Sequence, residues 1–203
     1  SGLVDANNTG LIGYSMGGAI AMQVAAEWPP DQLVLLAPFW RMNTILAHLL
    51  GLAKRIKPII TPFEKADFND PHLREQFQGI LGDGVNLDDP AVQDTLRNEV
   101  MIATATLDEV RRLGAESYKV ASRITSPTLI IQGRSDTMVV PKLTRRLIEQ
   151  LGSAVTYHEI EGSHAFIKKD FSFINQIIAY LPQVTDRSAV ANNLSLRDSV
   201  SYD

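Results

Sequence analysis

Short apolar runs alternate along this chain with segments of helical periodicity, and polar or proline-containing breaks separate them. Four runs predict strands, the last of them alternating between apolar and polar residues: residues 11–12, 33–37, 128–131 and 155–160. Three segments with helical patterning each follow a strand: residues 19–27, 142–151 and 166–181. Strands that alternate with helices are typical of an α/β fold. The pattern therefore predicts a parallel sheet of about four strands with flanking helices.

The region between the second and third predicted strands has a different pattern. From residue 39 to about residue 122 it shows helical patterning without a convincing strand, broken by turns such as Asp70-Pro71 and Asp89-Pro90. We interpret residues 40–122 as a helical cap inserted between the two parts of one sheet domain, residues 1–39 and 123–182. Residues 183–203 are polar with scattered valines and leucines, and they predict a loose C-terminal tail.

Within the predicted cap, residues 45–57 combine an apolar body with a basic end at residues 54–57. One interpretation is a roof over a binding pocket, or an amphipathic helix that contacts a lipid surface. The alternative, which we favour, is a helix packed on the sheet domain, with its cations near the C-terminus where the helix dipole stabilises them. Phe39 and Trp40, directly after the second strand, are candidates for the core or for a pocket wall.

The residues Gly13-Tyr14-Ser15-Met16-Gly17 stand between the first predicted strand and an alanine-rich helix. A serine in G-x-S-x-G at such a junction is typical of a nucleophile elbow, a sharp turn that lifts the hydroxyl out of the sheet. We expect Gly13 and Gly17 to provide the room that this turn requires. Ser15 would lie at the N-terminus of the helix, where backbone N–H groups and the helix dipole stabilise an oxyanion.

A nucleophilic serine needs a general base, and His164 is the best candidate among the four histidines. His48 lies in a leucine-rich helical segment, His72 at an apparent helix start, and His158 on the polar face of the last strand. His164 differs because it follows that strand in a loop, and catalytic side chains tend to stand on loops held by a rigid scaffold. A solvent-exposed loop histidine is the alternative interpretation.

The acid that orients the base is predicted to be Asp136. The third strand ends in Gln132-Gly133-Arg134-Ser135-Asp136, which puts the carboxylate at the carboxyl end of a buried strand, where sites gather in open α/β sheets. A cap for the helix that begins near Pro141 is the alternative role. Other aspartates fall in the polar middle region and are interpreted as solvated surface charges: Asp67, Asp70, Asp83, Asp88, Asp89, Asp94 and Asp108.

With these pieces in order, the chain resembles an α/β-hydrolase of the serine carboxylesterase, lipase and aminopeptidase kind. The resemblance covers roughly residues 3–182 and is carried by Gly-Tyr-Ser-Met-Gly-Gly, Leu-Val-Leu-Leu-Ala-Pro, Gln-Gly-Arg-Ser-Asp and Gly-Ser-His. It implies that Ser15 is the nucleophile, His164 the general base and Asp136 its partner. It also implies that the backbone N–H of Met16 is one oxyanion donor, and that no metal or cofactor takes part.

The resemblance is incomplete at the N-terminal end. The family places several strands ahead of the elbow, whereas only residues 1–12 precede Gly13 here. We therefore expect the chain to correspond to the carboxyl-terminal two-thirds of such an enzyme, without the loop that provides the second oxyanion donor. The strand at residues 11–12 would then have an unpaired edge, and we expect copies of the chain to self-associate through it.

Composition limits the partners and the location of the protein. The net charge of −4 argues against a nucleic-acid partner, for which a basic face is expected. No apolar run approaches the roughly twenty residues that cross a bilayer. The absence of cysteine excludes disulfides and cysteine-ligated zinc. It fits a cytoplasmic location, although many secreted bacterial proteins also lack cysteine.

The resemblance implies cleavage of small-molecule carboxylic esters through an acyl-enzyme intermediate. An aminopeptidase or a thioesterase on the same scaffold is one alternative, and a non-catalytic fragment with an incomplete oxyanion hole is another. The serine at the elbow disfavours the haloalkane dehalogenase and epoxide hydrolase branches of the family, which use aspartate at that position.

Overall fold

The structure is a computed structural model of the protein and describes residues 9–42, 47, 49–71, 73–74, 85–169 and 172–184. The described elements are, in chain order, β1 Gly10–Tyr14, α1 Met16–Glu27, β2 Gln32–Leu36, α2 Leu50–Ile56, β3 Ile59–Ile60, α3 Pro90–Glu99, β4 Ile102–Ala103, α4 Thr104–Val120, β5 Thr128–Gly133, α5 Pro141–Gln150, β6 Val155–Ile160, α6 Phe166–Lys169 and α7 Ser172–Val184.

Four of the strands form one parallel sheet in the order β1-β2-β5-β6, which confirms the predicted α/β fold. The register pairs Tyr14 with Leu36, Leu36 with Ile131, and Gly133 with Ile160. The carboxyl ends of all four strands therefore meet at one edge. Segments that follow β1, β5 and β6 start at this edge, which is where ligands bind in open α/β sheets.

The two faces of the sheet are covered by separate hydrophobic clusters. Leu33, Leu35 and Ile130 point to the cluster that contains Met22 of α1 and Leu147 of α5. Residues of opposite parity along the same strands belong to the other cluster, with side chains of α6 and α7: Val34, Leu36, Leu129 and Ile131. Every residue of β2 and β5 is buried, and the central residues of both strands, 33–36 and 129–131, are continuous apolar runs in the sequence.

A second, two-stranded sheet lies in the segment that we interpreted as wholly helical. β3 and β4 pair antiparallel, with Ile59 opposite Ala103 and Ile60 opposite Ile102. The expectation of no strand between residues 39 and 122 was therefore wrong. Strands of two residues are too short to show a period of two, and their partner lies far away along the chain, so no local pattern indicates them.

The long helix α4 packs along α1 of the sheet domain. The Gln23 Nε2 atom donates to the Leu113 carbonyl over 3.3 Å. The buried Trp40 ring stacks on Tyr118 with ring centroids 4.3 Å apart, and Trp40 Nε1 donates to the Leu143 carbonyl over 3.0 Å. Of the two roles considered for Trp40, these contacts favour the core. The division into a sheet domain and a cap stays a prediction.

Asp108 is not the solvated surface charge that we expected, because its side chain is only 3% exposed. Lys54 Nζ of α2 lies 2.7 Å from one carboxylate oxygen, and Arg111 Nη2 lies 2.8 Å from the other. The hydrogen bond from Lys54, followed by that from Arg111, lowers the pKa of Asp108 below its ordinary value. The sequence pattern gave no sign of the ion pair between Lys54 and Asp108, because Lys54 belongs to another helix, 54 residues earlier in the chain.

The cluster around Asp108 ties α2 to α4. Since α4 itself lies within the predicted cap, the favoured packing of residues 45–57 on the sheet domain stays a prediction, and residues 45, 46 and 48 lie outside the described residues. Leu50 of α2 is also buried. The opposite side of the helix stays exposed and apolar, with Leu52 at 61% and Ile56 at 78% exposure.

The predicted helix 166–181 corresponds to α6 and α7, and residues 170–171 between them lie outside the described residues. α7 ends at Val184, two residues into the predicted tail, and the remainder of that tail also lies outside the described residues. Among the helices that the structure describes, none is long and apolar enough to cross a membrane.

Candidate active site

Ser15 stands on a sharp turn between β1 and α1. Its φ of 52° lies in the left-handed region, which a residue with a Cβ rarely adopts and which costs about 1–3 kcal/mol. Three backbone hydrogen bonds hold the turn. Ser15 N–H donates to Leu36 O over 2.9 Å, and Ser15 O accepts from Gly18 N–H at 2.9 Å and from Phe39 N–H at 3.0 Å. The structure thus contains the predicted strand–turn–helix geometry.

The glycines around Ser15 differ in the space they leave. A Cβ on Gly13 would lie 2.6 Å from Gly17 O and 2.7 Å from Ala21 Cβ, so only glycine fits there. A Cβ on Gly18 would lie 3.0 Å from Pro38 Cα. At Gly17, however, no described atom lies within 4 Å of such a Cβ. The tight approach of strand to helix therefore depends on Gly13, as expected, and to a lesser degree on Gly18. The same expectation for Gly17 was wrong.

Asp136 lies in the loop after β5, and its side chain is fully buried. Its Oδ1 atom accepts hydrogen bonds from Met138 N–H at 2.9 Å and Val139 N–H at 2.8 Å. The alternative role as a helix cap is not what the structure has, because the N-cap of α5 is Val140 and no side chain caps it. The local backbone instead fixes the carboxylate so that its second oxygen faces His164.

His164 lies in the loop after β6, and this loop packs closely against the carboxyl ends of β5 and β1. A Cβ on Gly133, the last residue of β5, would lie 2.6 Å from the carbonyl oxygens of Gly162 and Ser163, so glycine is required for this close approach. On the other side, the Tyr14 hydroxyl donates to the His164 carbonyl over 2.8 Å, and the two rings stack with centroids 5.2 Å apart.

The structure brings Ser15, His164 and Asp136 together in one chain of hydrogen bonds. Ser15 Oγ lies 2.9 Å from His164 Nε2, and His164 Nδ1 lies 2.8 Å from Asp136 Oδ2. An ionised carboxylate only accepts hydrogen bonds, so the Nδ1 atom carries the proton and Nε2 of the neutral ring accepts from the serine hydroxyl. The His164 side chain is 13% exposed, so part of the imidazole ring is accessible from solvent.

The other sequence candidates do not join this arrangement. His158 is an exposed side chain of β6, as its alternating pattern predicted, while His48 and His72 lie outside the described residues. Met16 begins α1, so its backbone N–H belongs to the first helical turn, where N–H groups have no partner within the helix. Among the described residues, no group of three histidine or acidic side chains could hold a metal ion.

Two residues of the site had no role in the sequence interpretation. Tyr14 contacts His164 as described above, and Gln132 donates from its Nε2 atom to Asp136 Oδ2 over 3.0 Å. Burial, and to a lesser extent the Asp136 charge, raises the pKa of Tyr14 to about 12, so its hydroxyl remains a donor at neutral pH. The signal for Gln132 was present as a polar residue at the end of an otherwise apolar strand.

A parallel sheet with a serine on a strained strand–helix turn, and with aspartate and histidine following later strands, defines the α/β-hydrolase fold. The family described as serine aminopeptidase, S33, matches residues 5–167, and the chain belongs to this family.

Solved structures with the same fold include those of the metagenome-derived lipolytic enzymes LipS and LipT, with 19% identity over 85% of this chain and a TM-score of 0.61. A monoacylglycerol lipase of Paleococcus ferrophilus matches 88% of this chain with 22% identity and a TM-score of 0.57. DcsB, solved with its substrate analogue, matches 91% with 17% identity and a TM-score of 0.62. In the same order, the chain covers 64%, 68% and 66% of those proteins' lengths.

Proposed function

We propose that this chain is a serine hydrolase that cleaves carboxylic esters through an acyl-enzyme intermediate. Ser15 is the nucleophile, His164 the general base and Asp136 the residue that orients the base. The observation that carries the proposal is the continuous pair of hydrogen bonds from Ser15 Oγ to His164 Nε2 at 2.9 Å, and from His164 Nδ1 to Asp136 Oδ2 at 2.8 Å.

In the first step, Ser15 Oγ attacks the ester carbonyl carbon while His164 Nε2 takes the hydroxyl proton. The Asp136 carboxylate keeps the other ring proton on Nδ1 and stabilises the imidazolium that forms. When the tetrahedral intermediate collapses, the C–O bond to the alcohol breaks and His164 gives its proton to the leaving oxygen. Ser15 is left as an acyl ester.

In the second step, water attacks the acyl carbon while His164 takes a proton from the water; the bond from the acyl carbon to Ser15 Oγ then breaks, and His164 returns the proton to Ser15 Oγ as the acid leaves. Negative charge develops on the carbonyl oxygen in both steps. We assign the backbone N–H of Met16, at the positive end of α1, as one donor to that oxygen. We assign no second donor.

A peptide substrate is the second candidate, since the family description is that of an aminopeptidase. Acyl transfer from an amide uses the same three side chains, but the leaving amine must be protonated before the C–N bond breaks. The comparison of p-nitrophenyl butyrate with an amino-acid p-nitroanilide and an acyl thioester separates the three substrate classes. We expect the butyrate ester to be cleaved fastest.

A fluorophosphonate probe tests the nucleophile directly on the full chain. We expect one adduct, mapped by mass spectrometry to Ser15, and no labelling of the Ser15→Ala variant. Loss of the serine should also lower turnover by several powers of ten. Ser135→Ala is a matched control, because Ser135 is an exposed serine in the neighbouring Asp136 loop and its loss should leave labelling intact.

The base is tested by a second matched pair. His164→Ala should abolish labelling of Ser15, while His158→Ala, which changes an exposed strand residue, should preserve it. An adduct on any serine other than Ser15 contradicts the proposal. So does a folded His164→Ala protein that is labelled at the wild-type rate.

A further inference from the structure

The chain of buried polar groups at the site does not end at Asp136. Gln132, on β5, is fully buried, and so is Thr144 on α5. Thr144 Oγ1 donates to Gln132 Oε1 over 2.7 Å, and Gln132 Nε2 donates to Asp136 Oδ2 over 3.0 Å. A continuous series of hydrogen bonds therefore runs from α5 through β5 to Asp136, and from there through His164 to Ser15.

The contribution of Gln132 completes the set of donors around Asp136. Oδ1 accepts from two backbone N–H groups of the following loop, at 2.9 and 2.8 Å. Oδ2 accepts from His164 Nδ1 at 2.8 Å and from Gln132 Nε2 at 3.0 Å. Each oxygen thus has two donors, and Gln132 is the one side chain besides His164 that donates to this carboxylate among the described residues. With two donors on each oxygen, the carboxylate has little freedom to rotate.

Thr144 determines which end of the Gln132 amide faces Asp136. The amide nitrogen donates both to Asp136 Oδ2 and to the Val139 carbonyl, the latter over 3.0 Å. The hydroxyl donor of Thr144 occupies the amide oxygen. If the amide turned over, its oxygen would face two acceptors in a buried site, and that arrangement is costly. The Thr144 hydroxyl therefore favours the one orientation in which Gln132 donates to Asp136.

We propose that Gln132 and Thr144 are positioning residues, which hold Asp136 at the geometry that keeps the His164 ring aligned with Ser15. This inference rests on the proposed function for its kinetic consequences, whereas its structural consequence concerns the His164–Asp136 hydrogen bond alone. Neither residue touches the reacting atoms, so both act through Asp136.

The first test uses Thr144→Val, which removes the hydroxyl at nearly constant volume, and Thr144→Ser, which restores it. Thr128→Val is the matched control. Thr128 is likewise fully buried on β5, and its hydroxyl donates to Ser126 O over 2.9 Å and pairs with Ser153 Oγ at 3.0 Å, away from Asp136. Both valine variants lose one buried hydroxyl, and thermal unfolding measures the stability that each loses.

The readout that a purely structural role would not move is the proton resonance of His164 Nδ1–H, which lies far downfield when this proton is shared with a carboxylate. We expect the resonance in the wild-type chain, in Thr144→Ser and in Thr128→Val, and its loss or broadening in Thr144→Val. In parallel, Thr144→Val should lower kcat on the order of tenfold with KM unchanged, since Thr144 is fully buried and leaves no surface for a substrate to contact. Thr128→Val should leave kcat at the wild-type value.

Gln132→Met serves as a second variant should Thr144→Val not fold, and the same loss of the resonance is expected from it. A resonance and kcat that survive in both folded variants would overturn the proposal, as would absence of the resonance from the wild-type chain. The resonance does not depend on turnover. If Ser15 proves unreactive while the resonance is lost in Thr144→Val and kept in Thr128→Val, the positioning role stands and only the proposed hydrolase activity fails.

Discussion

The paired substitutions Gly13→Ala and Gly17→Ala test the strand–helix junction, because the two glycines of one motif are predicted to respond with opposite sign. At Gly13 the added Cβ would lie 2.6 Å from Gly17 O and 2.7 Å from both Gly18 Cα and Ala21 Cβ. Ordinary contacts lie at 3.4–4 Å. Two of these three atoms are backbone atoms of α1, so the helix itself must move away from β1.

The expected cost at Gly13 is that of overpacking, about 1–3 kcal/mol. At Gly17 no described atom lies within 4 Å of the added Cβ, and the residue is helical, so alanine should stabilise the protein by about 0.4–1 kcal/mol. The two variants should therefore differ in unfolding free energy by about 1.4–4 kcal/mol. For a chain of this length that corresponds to about 3–16 °C between their midpoints.

Thermal unfolding followed by circular dichroism measures the difference, and urea unfolding at one temperature provides an independent value. The order should be Gly17→Ala above wild type and Gly13→Ala below it. Equal losses of stability in both variants would refute the reasoning, because they would mean that the glycines are needed for backbone freedom at both positions and not for the close approach seen only at Gly13.

Three further predictions concern ionisation and association. Asp108 is paired with Lys54 and Arg111, and its pKa is lowered below 3.8. Its contribution to stability is therefore intact above pH 3.8 and is lost as the pH falls through the lowered pKa. The urea midpoints of wild type and Asp108→Asn should converge as the pH falls below 3.8. The pKa of Tyr14 is raised from 10.0 to about 12, so wild type should lose stability relative to Tyr14→Phe as the pH rises through this interval, and parallel curves would contradict the shift. No described strand pairs with the outer edge of β1, where Ile12 is 54% exposed, and we propose that copies of the chain associate there. Light scattering should show oligomers of the wild-type chain and fewer oligomers of Ile12→Lys. A monomeric wild-type chain would disprove this proposal.

Much of the fold was predictable from the chain itself, because the responsible forces act over a few residues. The apolar runs of β2 and β5 reflect burial on both faces, and the alternation in β6 reflects burial on one. The sequence G-x-S-x-G between a strand and a helix predicts a strained turn at Ser15, and the structure has that turn. The two-residue strands β3 and β4 could not be predicted, because each depends on the other for its hydrogen bonds.

In the candidate site, too, local sequence identified single residues, whereas the tertiary structure decided which of them contact each other. Ser15, Asp136 and His164 were selected one at a time from motifs and from their positions after strands. That they touch follows from the parallel order of the sheet, which brings the serine within 2.9 Å of a histidine 149 residues away. Gln132 lies in the motif that ends at Asp136 but was given no role there, and Thr144 lies in no motif. Only the packing of α5 against β5 reveals that they form one buried network with Asp136.

The sequence by itself determined the alternation of strands and helices, the turn at Ser15 and the order in which serine, aspartate and histidine occur. Periodicity and turn chemistry are local properties of the backbone, so they can be deduced from short stretches of residues. Only the tertiary structure decided that Gly13 and not Gly17 needs to be glycine, that Asp108 is a buried ion-pair centre, and that Gln132 supports Asp136. Each of these depends on which atoms of distant segments come within about 4 Å, because steric contact and hydrogen bonding vanish beyond that range.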